Sequence, residues 1–338
     1  MQIRYTQNNL IINYFLFLFS IIPISILIGP SISLINILII DISFLFFIIK
    51  SKNFSFFKNK NFKYLLILFV YLVFNSIISL DLSLSAARNL GFFRILVLFL
   101  AFNYFFSENF FLRKVLTTWA VIFLIVLLDI FVEFFFGQNL LGYNGGIYQN
   151  RIVSFFKDEP IVGSYINGFY LIIIGFLLSQ IKFLNKNFII FFSLIILLSV
   201  IFTGERSSSI RTVFSLFLFV SFISIIDFKK KIIYFLLGLF VMLIIILNSD
   251  FLKYRFVNGI KNIPINQNIY FKIYKSGYEV FKQHPYFGVG NKNYRKVTCD
   301  PEILKVNKNK NYLCQTHPHQ VYLELLSEHG IFGTFLIF

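Results

Sequence analysis

The stretch "QTHPHQVYLELLSEHGIFG", residues 315–333, sets His317 and His319 either side of Pro318, then places Glu324 and Glu328 four apart in an apolar run. Imidazole, with an unperturbed pKa of about 6.5, can take a proton near neutral pH, and a base so poised assists attack by a hydroxyl. Arg88, Arg94, Arg151, Arg206 and Arg211 offer a second chemistry. A guanidinium grips phosphate oxygens through two parallel hydrogen bonds, which an ammonium cannot do. Cys299 and Cys314 are the only cysteines. Whether these groups act together depends on what positions them, and on which side of it they stand.

What positions them is a membrane. The 338 residues are 57% hydrophobic and 20% aromatic with only 14% charged, and 49 are phenylalanine. Apolar runs of about 18 or more residues with few charges read as transmembrane helices. Ten such runs are legible: 10–29, 31–49, 63–80, 89–106, 115–136, 161–180, 187–203, 207–226, 231–249 and 319–338. The period-two alternation of an outer-membrane barrel is absent. The first run is too long for a signal-peptide core and lacks a small-residue cleavage site, so it is counted as a span. The expected class is all-α, a polytopic transmembrane helical bundle. Its expected division is residues 1–249 as spans one to nine, 250–318 as one long hydrophilic loop, and 319–338 as the start of span ten. That last run reaches Phe338 with no polar stop, which predicts a chain continuing beyond this copy.

Charge gives the orientation. Alternate connections hold Lys50, Lys52, Lys58, Lys60, Lys63, Arg113, Lys114, Lys182, Lys186, Lys229, Lys230 and Lys231, thirteen positive charges once Arg4 is added. The opposite short connections hold four: Arg88, Arg151, Lys157 and Arg206. Positive loops stay in the cytoplasm, which predicts a cytoplasmic N-terminus and puts residues 250–318 outside. That loop carries twelve Lys/Arg against four Asp/Glu, but loops of its length cross largely regardless of charge. The net charge of +16 is accounted for by the inner lysines and this loop, so no nucleic-acid partner is expected. The outer arginines contrast with the inner lysines. An arginine within a span is expensive and faces a cavity or a partner; snorkelling at a helix end is the plain alternative for any one of them. Five on one side point to an anion site there.

In the loop, an oxidising compartment favours a Cys299–Cys314 disulfide, whose closed loop is worth about 3 kcal/mol. Zinc on Cys299, Cys314, His317 and His319 competes, but the spacing C-x₁₄-C-x₂-H-x-H is not that of a standard finger. Ile273, Gly277, Val280 and Phe281 recur at helical spacing and predict an amphipathic helix. It should stop at His284-Pro285 and turn through Gly288 and Gly290.

Four segments, taken in order, resemble one family. "NRIVSFFKDEPIVGSYI", "FTGERSSSI", "YEVFKQHPYFGVGNKNYR" and "CQTHPHQVYLELLSEHGIFG" are similar to the motifs of the O-antigen ligase and Wzy polymerase superfamily. These are multi-pass glycosyltransferases of the bacterial inner membrane. The resemblance covers residues 140–338 by motif, and the front helices by topology only. It implies a bundle of about twelve spans in the full chain, with a periplasmic active site and neither metal nor nucleotide cofactor. Its implied donor is a glycan on undecaprenyl diphosphate, with lipid A-core or another lipid-linked glycan as acceptor.

Carried over residue by residue, Arg206 in "GERSS" takes the family's Ser-Arg position. Arg151 opens the R-x-x-G-like motif, with Ser154 where relatives have glycine. His319 takes the His-Asn histidine, with Gln320 for asparagine. The position often Arg or His in relatives is Tyr270 here, so part of the diphosphate contact falls to Arg255, Arg295 or a lysine. The resemblance then assigns His319 as the base and Arg206, Arg151, Arg211 and Arg88 to the diphosphate. His317, Glu324 and Arg295 are placed in support. His319 is expected on the first turn of the last helix, with Glu324 and Glu328 on another face, where they pair with buried arginines or orient the bundle. A flippase for lipid-linked oligosaccharides is the competing class. It too needs many spans and inward arginines, but not a long ordered loop with a cystine and histidines.

Overall fold

In hydrocarbon every backbone N–H and C=O must be satisfied within the protein, and a helix does so alone. In the computed structural model all ten apolar runs are helical. The structure describes residues 9–52, 57, 59–148, 150–157, 159–180, 186–222, 227–258, 269–302 and 312–338. Arg4, Lys58 and Lys182 of the charge count lie outside these residues, as do the end of the 207–226 run and parts of the long loop. The helices are α1 (Asn9–Ser20), α2 (Ile22–Ile28), α3 (Pro30–Ser51), α4 (Lys60–Ile77), α5 (Leu82–Leu90), α6 (Phe93–Phe105), α7 (Asn109–Phe136) and α8 (Val162–Ser179). They continue with α9 (Lys186–Phe202), α10 (Arg206–Phe222), α11 (Phe228–Asn248), α12 (Asp250–Lys253), α13 (Ile269–Gln283), α14 (Tyr294–Cys299) and α15 (Val321–Ile337).

Among the described residues, six helices are long and apolar enough to cross a membrane, or seven if the pair α1–α2, bent by 41°, is one span. Pro23 in the first turn of α2 accounts for the bend. The other three runs are helical as α9, α10 and α15, each described over 17 residues. One boundary differs from the sequence reading. Asp81 accepts from the backbone N–H groups of Ser83 (3.0 Å) and Leu84 (3.3 Å), starting α5 at Leu82, so Arg88 lies within a helix and not in a connection.

The chain folds as two compact units, Met1–Asn36 with Glu108–Asn262, and Ile37–Ser107 with Ile263–Phe338. In the first, α7 is the central helix. Trp119 donates its indole N–H to the Phe19 carbonyl at 2.9 Å, and Phe134 stacks on Phe202 of α9 at 3.9 Å. The helix closes at Gly137, whose N–H reaches the Glu133 carbonyl at 2.9 Å and whose φ of 79° turns the following chain out of the helix.

In the second unit the loop segment 285–293 is bound into the helices. α15 breaks at Gly330 (φ 65°, ψ −168°), and the groups freed by the break pair with the loop backbone. Val289 and Gly290 donate to the carbonyls of Ser327 and Glu328, both at 3.0 Å. Ile331 and Phe332 donate to Pro285 (2.8 Å) and Tyr286 (3.2 Å). Asn75 of α4 closes the arrangement, giving N–H bonds to Phe287 O and Glu328 O (3.2 Å each) and accepting from Asn291 N–H at 3.0 Å. Asn291 in turn donates to Asn89 at 2.6 Å. "GVGN" is thus a backbone lock for a broken helix. A Cβ on Gly330 would lie 2.3 Å from the Tyr286 carbonyl carbon and oxygen, and its left-handed φ adds about 1–2 kcal/mol against any L side chain. Gly330→Ala is therefore expected to destabilise by about 2 kcal/mol or more, lowering the apparent Tm in detergent. Gly175→Ala, in a helix with nothing within 4 Å of the new Cβ, melts no lower than the parent.

Candidate active site

Two buried carboxylates near the end of α7, Asp129 and Glu133, hold the segment that carries Arg151. Glu133 accepts from the N–H groups of Val153 (3.1 Å) and Ser154 (2.6 Å). Asp129 accepts from Leu140 N–H (2.9 Å) and the Ser154 hydroxyl (2.5 Å). Asn139 completes the frame by donating to Ser154 O at 2.8 Å. Ser154 sits at φ 50°, a left-handed conformation in which glycine is at ease and which explains the glycine of the resembling motif. Here the hydroxyl bond to Asp129 offsets the strain. Spans that carry two carboxylates one turn apart advertise a buried role, and that signal in "LLDIFVEFFF" went unused in the sequence reading.

Arg151 donates through Nη2 to Pro160 O at 2.9 Å, just ahead of α8, while its Nε is buried with no hydrogen-bond partner. Glu205 caps α8 from the turn before α10. Its oxygens accept from Gly163 N–H at 2.7 Å and from the Ser208 hydroxyl at 2.8 Å, placing negative charge where the helix dipole is positive. Arg206, the next residue, gives its Nε–H to Arg255 O at 2.6 Å. Arg255 returns Nε–H to Gly204 O at 3.2 Å. These bonds draw Arg151 and Arg206 to the same end of α8, beside the end of α11. Arg211 is exposed and reaches only Ser207 O and the Ser208 hydroxyl, both at 3.4 Å.

Among the described residues the ion pairs are Lys230–Asp227, Lys282–Glu279, Lys292–Glu324 and Lys296–Asp81. None uses an arginine. Asp129, Glu133 and Glu205 accept from backbone amides and hydroxyls, and among the described residues neither Arg151 nor Arg206 forms an ion pair.

His317, His319, Glu324, Arg88 and Arg295 belong to the other unit. Pro318 is buried against α13, where a Cβ on Gly277 would come within 3.1 Å of it. His319 is exposed and takes φ 55°, which histidine tolerates better than most residues. It therefore stands ahead of the helix and not on its first turn. The physical reason is the cap: Gln320 has extended backbone and its Oε1 accepts from Leu323 N–H at 2.6 Å. Gln320 thereby does the N-cap work that an asparagine would do. The two imidazoles lie close, with ring centroids 4.1 Å apart, and Tyr270 approaches His319 at 6.3 Å. Thr316 Oγ1 is 3.0 Å from His317 Nδ1. Partial burial pushes the His319 pKa below its ordinary value, and the neighbouring His317 adds to this while Glu324 opposes it.

Cys299 and Cys314 are bonded, with Cα atoms 4.5 Å apart, tying the end of α14 to the strand of chain that leads to His317. Joined sulfurs offer no thiolates to a metal, and the described residues contain no cluster of three or more His, Cys, Asp or Glu suited to one. Glu324 meets Lys292 at 3.9 Å, and Glu328 is buried with Oε1 unpartnered. The expected pairing of these glutamates with arginines is not found among the described residues. Arg88 and Arg295 are exposed.

Residues 191–338 match a family model described as O-antigen ligase. No curated protein and no solved structure matches the chain.

Proposed function

From the premise that residues 191–338 belong to the O-antigen ligase and Wzy superfamily, we propose that this protein is an inner-membrane glycosyltransferase acting on the periplasmic side. It moves a glycan from undecaprenyl diphosphate to lipid A-core; extension of a second lipid-linked glycan, the polymerase activity of the same superfamily, is the alternative. The observation that carries this reading is the pair Arg151 and Arg206, anchored at one end of α8 and in no ion pair among the described residues. As the bond from the anomeric carbon to the diphosphate oxygen breaks, negative charge builds on the leaving lipid diphosphate. Preorganised cations stabilise that charge most. His319 takes the proton from the acceptor hydroxyl as its oxygen bonds to the anomeric carbon. Arg211 and Arg88 are assigned to the outer part of the donor, and His317, Glu324 and Arg295 to support. The cytoplasmic N-terminus belongs to the same proposal.

The test is glycan transfer by purified protein, with chelator present, offered lipid A-core and lipid-linked glycan as separate acceptors. Product on the core supports the ligase; elongated lipid-linked glycan supports the polymerase. Donor movement across vesicles with neither product sinks both in favour of a flippase.

The pH profile gives a further prediction. A base works only when neutral, so transfer falls as pH drops through the His319 pKa. Because that pKa is held down, the acid limb of kcat/KM has its midpoint below about 6.5. In His319→Ala that limb is absent from the residual rate. A parent midpoint above 7 rules His319 out as the titrating group.

A further inference from the structure

The segments that anchor Arg151 and Arg206 also wall a polar cleft of about 460 Å³, within the size range of small-molecule sites, ~300–1,000 Å³. Asn144, Gly145 and Asn150 line it from the connection after α7, Ser249 and Phe251 from the chain after α11, and Glu133 from α7 itself. The clefts between α9, α10 and α11 differ in kind, being lined almost wholly by Leu, Val, Ile and Phe side chains as a lipid-facing groove would be. The connection after α7 and the chain after α11 both reach the arginines. A Cβ on Gly145 would fall 1.5 Å from the Arg151 carbonyl oxygen, so the loop is packed directly on that residue. Phe251 meets Gly204, where a Cβ would lie 2.7 Å from its ring, two residues before Arg206.

The groups available for a ligand can be worked out by elimination. The Glu133 oxygens are taken by Val153 and Ser154, and the Ser249 hydroxyl accepts from Leu252 N–H at 3.4 Å to cap α12. Asn144 uses only its carbonyl oxygen, which accepts from Gly146 N–H at 3.2 Å, leaving its NH₂ to donate. The Asn150 side chain has no hydrogen-bond partner among the described residues, and the residue is exposed at φ 58°. One amide left to donate, a second free to donate and accept, and a phenylalanine ring in the same lining suit a sugar ring, which bears hydroxyls on its edge and C–H groups on its face. A lipid tail would leave the amides unsatisfied, and a second phosphate would find no cation in the walls.

We propose that this cleft binds the sugar ring nearest the diphosphate of the donor. Asn144 and Asn150 would read its hydroxyls and Phe251 would carry its apolar face. The inference rests on the transfer reading above and extends it to donor specificity, a discrimination that amide hydrogen bonds to hydroxyls make well.

The variants follow from the geometry. Asn150→Gly removes the amide and keeps a residue at ease at positive φ. Asn144→Asp keeps the acceptor that holds Gly146 and removes the donor. Full-length protein in nanodiscs is titrated with two probes: bare undecaprenyl diphosphate, and the lipid-linked glycan extracted from source cells lacking this protein. The parent is expected to bind the glycan-bearing lipid at least tenfold more tightly. The double variant brings that ratio to about one while its affinity for the bare lipid stays within twofold. A ratio kept by the double variant, or no preference in the parent, overturns the cleft and leaves the transfer reading standing. A parent that does not bind bare undecaprenyl diphosphate, or binds it equally well as Arg206→Ala, overturns the transfer reading instead.

Discussion

His319→Ala lowers glycan transfer by about 10²–10⁴-fold near neutral pH, the range over which a positioned general base acts. Donor affinity stays near the parent's, because the proposed contact is with the acceptor hydroxyl and not the diphosphate. The substitution is also gentle on the fold in one respect and harsh in another. His319 is exposed and packs little, but it holds φ 55°, where alanine is less tolerated than histidine. His319→Asn, which accepts that backbone but carries no base, separates the two effects and is expected to be as inactive as alanine. An asparagine variant with parental turnover would remove the base assignment. His317→Ala is milder, since that residue precedes the buried Pro318 and meets Thr316. A collapse of activity in His317→Ala alone would transfer the role to it.

Arg206→Lys loses about 10²–10³-fold in transfer, the magnitude of removing one preorganised donor from a developing oxyanion. The reason is division of labour within one side chain. Nε–H is committed to the Arg255 carbonyl at 2.6 Å, which fixes the plane of the guanidinium and leaves both terminal nitrogens for the diphosphate. Lysine keeps the charge, but its single ammonium cannot hold Arg255 and fork onto two phosphate oxygens. Part of any loss could come from loosening the Gly204–Arg255 turn, so the melting temperature and donor affinity are measured beside the rate. Parental transfer in Arg206→Lys would make Arg206 a structural tie and dissolve the anion site. A rate loss matched by a large fall in melting temperature, and recovered on cooling, would do the same.

The candidate groups themselves were legible because side-chain type alone names them. Histidine beside proline at a helix mouth, and arginines in the connections that alternate with lysine-rich ones, are properties of composition and order. The amphipathic stretch was legible for the same reason: Ile273, Gly277 and Val280 recur at helical spacing, and α13 buries all three. What escaped were the partners. Glu205 lies inside a motif read only for its arginine, yet it caps α8 from 42 residues away. Asn75 and Asn291, 216 apart, have no signature in either neighbourhood. His319 was misplaced by a residue or two because helix starts are decided by which side chain wins the cap, and Gln320 won it.

By itself, then, the order of residues determined that this chain is helical and apolar and where its ten apolar runs lie, because hydrocarbon admits only backbone that satisfies its own hydrogen bonds. Only the tertiary structure decided that residues 37–107 group with 263–338. It alone decided that α15 breaks at Gly330 against the 285–290 backbone, and that the carboxylates Asp129, Glu133 and Glu205 serve amides and hydroxyls, not arginines. Those choices depend on distance between groups far apart in the chain. A buried acceptor takes whichever donor packing delivers to it, and among the described residues Arg151 and Arg206 are left in no ion pair.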